Sequence, residues 1–206
     1  MADKLTLYTN PMSRGRIARW MLEETGADYE TKILKFGEGS QSADYLAINP
    51  MGKVPAITHG DKVVTECAAI CAYLAEAFPE AGLAPTPDER ADYYRWLFFA
   101  AGPVEAAVVN RSLGVEIPDD KVGMVGYGNF ERTRNVLISA IADRPYLCGD
   151  RFTAADVYVG SQIGWGLQFG SIPPSPELTA YSERVYSREA FKRASALDDA
   201  AIAAAS

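Results

Sequence analysis

The sequence predicts an α/β thioredoxin-like domain over residues 1–79, a linker over 80–86 and an all-helical domain over 87–206. Three observations predict this division. Short stretches with the period-two alternation of strands occur only in the first part. Prolines at positions 79, 85 and 87 then bracket a break in the pattern. Beyond it, apolar residues recur only at helical spacing.

The first domain alternates strand and helix signals. In chain order they are a strand at 5–8, a helix from Ser13 to Gly26, a strand at 29–34, a polar loop at 36–42, strands at 54–58 and 63–65 joined by a His59-Gly60-Asp61 turn, and a helix ended by Pro79. The order of strand, helix, strand, then strand, strand, helix is that of a thioredoxin-like domain.

Helix starts mark the second domain. Thr86-Pro87-Asp88-Glu89 combines a cap, an early proline and a glutamate that reaches back. Thr153 with Asp156 repeats the capping pattern, and Ser175-Pro176 opens another helix. Apolar residues between 130 and 141 predict an amphipathic helix.

Composition excludes several classes of protein. With 48% hydrophobic residues the 206-residue chain can build a packed core. A net charge of -7 argues against nucleic acid or an anionic membrane as a partner. There is no long apolar run and no signal-like N-terminus, and the three cysteines are too few for a disulfide framework. We expect a cytoplasmic protein.

The most informative stretch is Asn49-Pro-Met-Gly-Lys-Val-Pro-Ala-Ile57, followed by Thr65-Glu-Cys67. A Val-Pro pair opening a strand suggests an X-Pro bond that is cis at a tight turn. The helix start at Glu66 and Cys67 has backbone N–H groups that favour an anion. A strand edge beside an anion site predicts a site for a small peptide-like ligand.

With these motifs the chain resembles the cytosolic glutathione transferases, of the bacterial serine type, along nearly its full length. The similar segments are NPMGKVPAI, TECAAICAYLAE and YLCGDRFTAADV, in that order. The resemblance implies a glutathione-binding domain, a helical substrate domain and a homodimer. It also implies glutathione as co-substrate, with no permanently bound cofactor, and attack of the glutathione thiolate on a hydrophobic electrophile.

A hydroxyl must stabilise that thiolate, because a free thiol is mostly protonated at neutral pH. Ser13, at the first helix start, and Tyr8, at the end of the first strand, are the two candidates that the resemblance implies. We favour Ser13, because a helix start adds N–H groups; its other interpretation is a simple N-cap. Arg14, and Arg16 beyond it, would add positive charge.

Six residues are expected to contact glutathione. An edge at Val54, held open by Pro55, would pair the backbone of the cysteinyl portion. Glu66 and the following N–H groups would bind the γ-glutamyl end, where Cys67 replaces the family's usual serine or threonine. For the glycyl carboxylate, Lys53 is a candidate that could equally be a solvated lysine, and Gln41 stands where relatives often carry a basic residue.

The second substrate is expected between the domains. Aromatic residues at helical spacing are more often core than pocket, but some of this set are expected to face the substrate: Tyr93, Trp96, Phe99 and Trp165. Cys67, Cys71 and His59 form no convincing metal set, so we predict no metal site.

Other functions are compatible with the same predicted fold. A glutathione-dependent peroxidase, isomerase or dehalogenase would share the thiolate and differ in the electrophile. A non-catalytic, glutathione-dependent ligand-binding protein or interaction module would need no hydroxyl directed at sulfur.

Overall fold

The computed structural model describes residues 3–205. These residues form two compact units. The first contains the chain up to Ala84 together with the segment from Ser187 onward, and the second is Pro85–Tyr186.

The first unit is built on a mixed sheet of order β2-β1-β3-β4. Its strands are β1 (Leu5–Thr9), β2 (Glu30–Ile33), β3 (Ala56–His59) and β4 (Lys62–Thr65). β1 pairs parallel with β2 and antiparallel with β3, so that Leu7 lies opposite Thr31 on one side and Ile57 on the other. β3 pairs antiparallel with β4. This confirms the predicted α/β class, and the strands follow one another along the chain as predicted.

The helices of the first unit are α1 (Gly15–Thr25), α2 (Ala43–Leu46), α3 (Cys67–Ala77) and α9 (Glu189–Ala205). Gly26 ends α1 in the left-handed conformation, with φ of 66°, as its position predicts. The short helix α2 was not predicted; the Ser42 side chain caps it by accepting from the N–H of Tyr45.

The place of α9 differs from the predicted domain boundaries. The sequence assigns residues 87–206 to one helical domain, whereas α9 packs on α1 within the first unit. The physical reason is complementarity between these two helices. Trp20 meets Phe191 edge to face at 5.0 Å, and the buried Arg19 donates to Asp198 at 2.9 Å.

The second unit is helical. It comprises α4 (Arg90–Phe99), a π-helical turn (Ala100–Val104), α5 (Glu105–Ser112), α6 (Phe130–Ile141), α7 (Ala154–Gln168) and α8 (Pro176–Tyr186). The predicted capping box opens α7, where Thr153 and Asp156 satisfy each other's backbone. Glu89 accepts from the N–H of Thr86 as predicted, although α4 itself begins at Arg90.

Candidate functional site

The segment before β3 is held at one carbonyl. The Val54–Pro55 peptide bond is cis, as the sequence suggests. Tyr45 Oη and Asn49 Nδ2 both donate to the carbonyl oxygen of Lys53, at 2.5 and 2.7 Å. Two donors on a single acceptor fix the direction in which the chain enters Val54.

The backbone of Val54 is open. Within residues 3–205 its N–H and C=O make no hydrogen bond with another residue. Its side chain is half-buried and packs against a cluster formed by Tyr8, Tyr45 and Ala56. An anchored residue with both backbone groups available can pair an extended ligand as another strand would.

Glu66 lies directly before α3 in an unusual conformation. Its φ is 67° and its ψ is 120°. Among the described residues other than glycine, Glu66 is the one with a positive φ. Such backbone costs on the order of 1–3 kcal/mol, and strain of this kind concentrates at functional sites. Its side chain is exposed, and no side chain caps the first turn of α3. The helix start therefore offers N–H groups, and Glu66 a carboxylate, to a ligand that carries both charges.

Cys67 links α3 to the loop before α1. Its thiol is buried and donates to the carbonyl oxygen of Arg14 over 3.7 Å. The thiol is thus directed at the protein, and any ligand contact from Cys67 would come from its backbone. Burial also raises the pKa of the neighbouring Cys71 thiol well above its usual value.

Ser13 stands two residues before α1, and its hydroxyl makes two hydrogen bonds with neighbouring backbone groups. Oγ donates to the carbonyl oxygen of Asn10 at 2.7 Å and accepts the N–H of Gly15 at 2.9 Å. Ser13 is not the N-cap of α1, because that position is Arg14, which makes no side-chain cap; the Ser13 hydroxyl instead bonds the N–H of the first helical residue. To donate to a thiolate, this hydroxyl must leave the Asn10 carbonyl while it keeps the Gly15 N–H.

Tyr8, the alternative candidate, lies in the core of the unit. Tyr8 is 8% exposed, and its ring centroid lies 5.7 Å from that of Tyr45. The ammonium of Lys32 lies 5.2 Å from the centroid of the Tyr8 ring. The structure brings Tyr8 beside Val54, and Arg14 beside Cys67.

The remaining predicted contacts are peripheral. Arg14 and Lys53 are exposed. Gln41 is exposed as well, and its Nε2 donates to the carbonyl oxygen of Gly52 at 3.3 Å. Arg16 is not available as a free charge, because its guanidinium is bound to Pro11 and Asp199.

Sequence reasoning missed the two asparagines that shape these loops. Asn10 and Asn49 each open an Asn-Pro-Met tripeptide, and each accepts the N–H of the methionine, at 2.9 and 3.1 Å. Each also donates to a carbonyl across the loop, at Leu34 and Lys53 respectively. The repeated tripeptide was the available signal, because Asx turns of this kind favour Asn before Pro.

The predicted second-substrate residues lie in the second unit and divide by burial. Tyr93 and Trp96 are 1% and 3% exposed, so their side chains have almost no surface with which to touch a substrate. Such burial is typical of core residues, and a substrate contact at these two positions stays a prediction. Phe99 and Trp165 are half-buried and remain predictions.

Metal-binding clusters and membrane-spanning helices are both absent from the described residues. Within residues 3–205 no group of three or more His, Cys, Asp or Glu side chains could hold a metal ion. Over the same range no helix is both long and apolar enough to span a membrane.

Comparison with known proteins agrees with the fold. The family model described as the glutathione S-transferase N-terminal domain matches residues 3–76, and the model of the C-terminal domain matches residues 130–189. Together they define a two-domain protein whose thioredoxin-like part carries the open backbone at Val54.

Individual relatives extend the similarity over nearly the whole chain. Glutathione S-transferase 1 of Dianthus caryophyllus is 30% identical over 97% of this chain and 96% of its own. A glutathione transferase structure from Methylococcus capsulatus is 30% identical, with a TM-score of 0.77 over 95% of this chain and 98% of that one. The theta class enzyme of Xanthomonas axonopodis, solved with glutathione bound, is 27% identical with a TM-score of 0.73, over 93% of this chain and 97% of its own. The chain belongs to the glutathione S-transferase family.

Proposed function

We propose that this protein transfers glutathione to an electrophilic carbon of a hydrophobic substrate, and that the Ser13 hydroxyl stabilises the thiolate. The observation that carries the assignment is the position of Ser13 Oγ, which accepts the Gly15 N–H at the start of α1. The names of the relatives and the glutathione bound in similar structures support the activity and the co-substrate.

Glutathione has three parts, and the first unit offers a partner for each. The open N–H and C=O of Val54 suit the backbone of the cysteinyl residue. The start of α3 and the Glu66 carboxylate suit the carboxylate and ammonium of the γ-glutamyl end. Lys53, an exposed cation next to Val54, suits the glycyl carboxylate, with Gln41 as a weaker partner.

The chemistry is a nucleophilic substitution or addition. The bound thiol releases its proton to water, and the sulfur lone pair forms a bond to the electrophilic carbon. In a substitution the leaving group departs with its bonding electrons, and in an addition the adduct takes up a proton from water. One unit of pKa depression corresponds to about 1.4 kcal/mol of thiolate stabilisation. A hydrogen bond to an ion is about twice as strong as one between neutral groups, so the Ser13 hydroxyl gains by exchanging the Asn10 carbonyl for the thiolate. The Gly15 N–H polarises that hydroxyl and makes it a better donor.

Tyr8 is the alternative hydroxyl. Its ring packs against Tyr45 and lies in the cluster that supports Val54, which gives the residue a structural role of its own. We therefore favour Ser13, and Tyr8 stays the second candidate.

The test compares three variants in the conjugation of glutathione with an activated aryl halide. Ser13→Ala should lower kcat about 10- to 100-fold, which corresponds to a thiol pKa higher by about one to two units, with little change in glutathione affinity. Ser13→Thr keeps the hydroxyl and should retain more activity than Ser13→Ala. Full activity in Ser13→Ala together with a loss in Tyr8→Phe would reverse the assignment.

A non-catalytic, glutathione-dependent carrier is the second candidate function. One observation favours it: the Ser13 hydroxyl and the Cys67 thiol are both directed at backbone carbonyls of the protein. Such a carrier would bind glutathione without turnover in the same assay. The predicted homodimer, the cytoplasmic location and the choice among conjugation, peroxidase, isomerase and dehalogenase reactions remain predictions.

A further inference from the structure

Arg16 joins the C-terminal helix to the loop that carries Ser13. Its Nε donates to the carbonyl oxygen of Pro11 at 2.6 Å, and its Nη2 donates to Asp199 of α9, also at 2.6 Å. One planar side chain thus holds a backbone atom two residues before Ser13 and a carboxylate far along the sequence.

The loop is also held at its two ends, by Asn10, which donates to the Leu34 carbonyl, and by Arg14, whose carbonyl accepts from Cys67. Asn10 organises it from within, because its carbonyl accepts from both N–H and Oγ–H of Ser13 while its side chain accepts the N–H of Met12. Pro11 has no N–H, so its carbonyl is its sole polar backbone group. The contact from Arg16 is what fixes that carbonyl.

We propose that Arg16 and Asp199 are positioning residues for thiolate stabilisation, through which α9 holds the Ser13 hydroxyl in place. The proposal rests on the function proposed above for Ser13. On this proposal α9 contributes to thiolate stabilisation although none of its residues contacts Ser13 in the described bonds, because Arg16 connects Asp199 to the loop.

The role is orientation and not charge. Asp199 neutralises the guanidinium, so Arg16 presents no free positive charge to a thiolate. The Asp199 side chain is 66% exposed, and a pair of that kind contributes little to stability. The fork of the guanidinium is what allows two acceptors to be held in a fixed geometry, which a lysine ammonium cannot reproduce.

A second arginine that joins α9 to α1 provides a control for the substitution of Arg16. Arg193 of α9 makes the same kind of fork on Glu23 of α1, with Nε to the carboxylate at 3.2 Å and Nη2 to the carbonyl oxygen of Glu23 at 3.1 Å. Glu23 lies seven residues beyond Arg16, about 10 Å further along the helix axis. A change at Arg193 loosens the same pair of helices away from the loop.

The experiment measures the pKa of the glutathione thiol bound to Arg16→Lys, Asp199→Asn and Arg193→Lys, together with kcat and KM for glutathione. Arg16→Lys should raise the bound-thiol pKa by about half to one unit and lower kcat about 3- to 10-fold at a pH below that pKa, with KM within about twofold. Asp199→Asn should act in the same direction with a smaller effect. Arg193→Lys should match the wild type, and circular dichroism should show all three variants folded.

Two results would overturn the proposal while leaving the proposed function intact. One is a wild-type pKa depression that Arg16→Lys and Asp199→Asn both retain. The other is an equal rise in Arg193→Lys, which would assign the effect to general docking of α9. An unshifted thiol in the wild type would instead overturn the proposed function and this inference together.

Discussion

The carboxylate of Asp156 in the second unit accepts four hydrogen bonds, and replacing it by asparagine should destabilise the protein. Asp156 is fully buried. Its Oδ1 accepts from the N–H of Leu147 at 2.9 Å and from Tyr181 Oη at 2.8 Å. Its Oδ2 accepts from the N–H and the hydroxyl of Thr153, at 2.9 and 3.2 Å.

The magnitude follows from what Asp156→Asn keeps and loses. Its amide oxygen can retain the bonds to Leu147 and Tyr181. Its amide nitrogen, a donor, then faces the N–H of Thr153, which is left buried without an acceptor. An unsatisfied buried N–H costs about 1–3 kcal/mol, whereas the Thr153 side chain still caps the backbone N–H of residue 156. We expect the free energy of unfolding to fall by about 1–3 kcal/mol.

The assay is urea unfolding, followed in parallel by circular dichroism and tryptophan fluorescence. Asp143→Asn is the control, since Asp143 is exposed and surface substitutions change stability by about 0.5 kcal/mol or less. A loss below 1 kcal/mol for Asp156→Asn would refute the reasoning, because it would mean that the Thr153 N–H had found another acceptor.

Three further predictions follow from local contacts. Arg151 holds the pKa of Glu89 below its usual value, so the pair stabilises the folded state above pH 4.5 and the benefit is lost as pH falls through the lowered pKa. Glu89→Gln should cost about 1 kcal/mol of unfolding free energy at pH 7, with a smaller difference from wild type at pH 3.5; an equal cost at both would contradict this. Burial raises the pKa of Cys148 to about 11, so its alkylation by iodoacetamide at pH 8 should be at least about 100-fold slower than that of a free cysteine, and similar rates would argue against it. Glu66→Gly should relieve the positive φ and stabilise the chain by about 0.5–1 kcal/mol while weakening glutathione binding in calorimetry, whereas Glu66→Gln should weaken binding with no gain in stability.

The parts of the site that depend on neighbouring residues could be predicted from the sequence. Val54-Pro55 and the helix start at Glu66 were identified because proline chemistry and helix capping act within a few residues. The two Asn-Pro-Met turns obey the same local rules and were missed although their signal is present in the sequence. The positive φ of Glu66 had no such signal, because glutamate does not favour that conformation and the surrounding fold imposes it.

The placement of α9 could not be read from the sequence. The residues of α1 that pair with Asp198 and Asp199 lie about 180 residues earlier in the chain. In the sequence, the charged residues of both helices look like ordinary surface residues. Burial of Arg19 and Asp198 arises only in that pairing, as does the contact of Arg16 with Asp199. The buried state of Tyr93 and Trp96 is of the same kind, since helical spacing alone does not distinguish a core face from a substrate face.

The most direct test of the account is an ultraviolet difference titration of glutathione bound to the wild type and to Ser13→Ala. The account predicts a thiol pKa clearly below the ordinary value of about 8.5 in the wild type, and a rise of about one to two units in Ser13→Ala with binding retained. An unshifted thiol in the wild type, or an equal depression in both proteins, would contradict the claim that Ser13 activates glutathione.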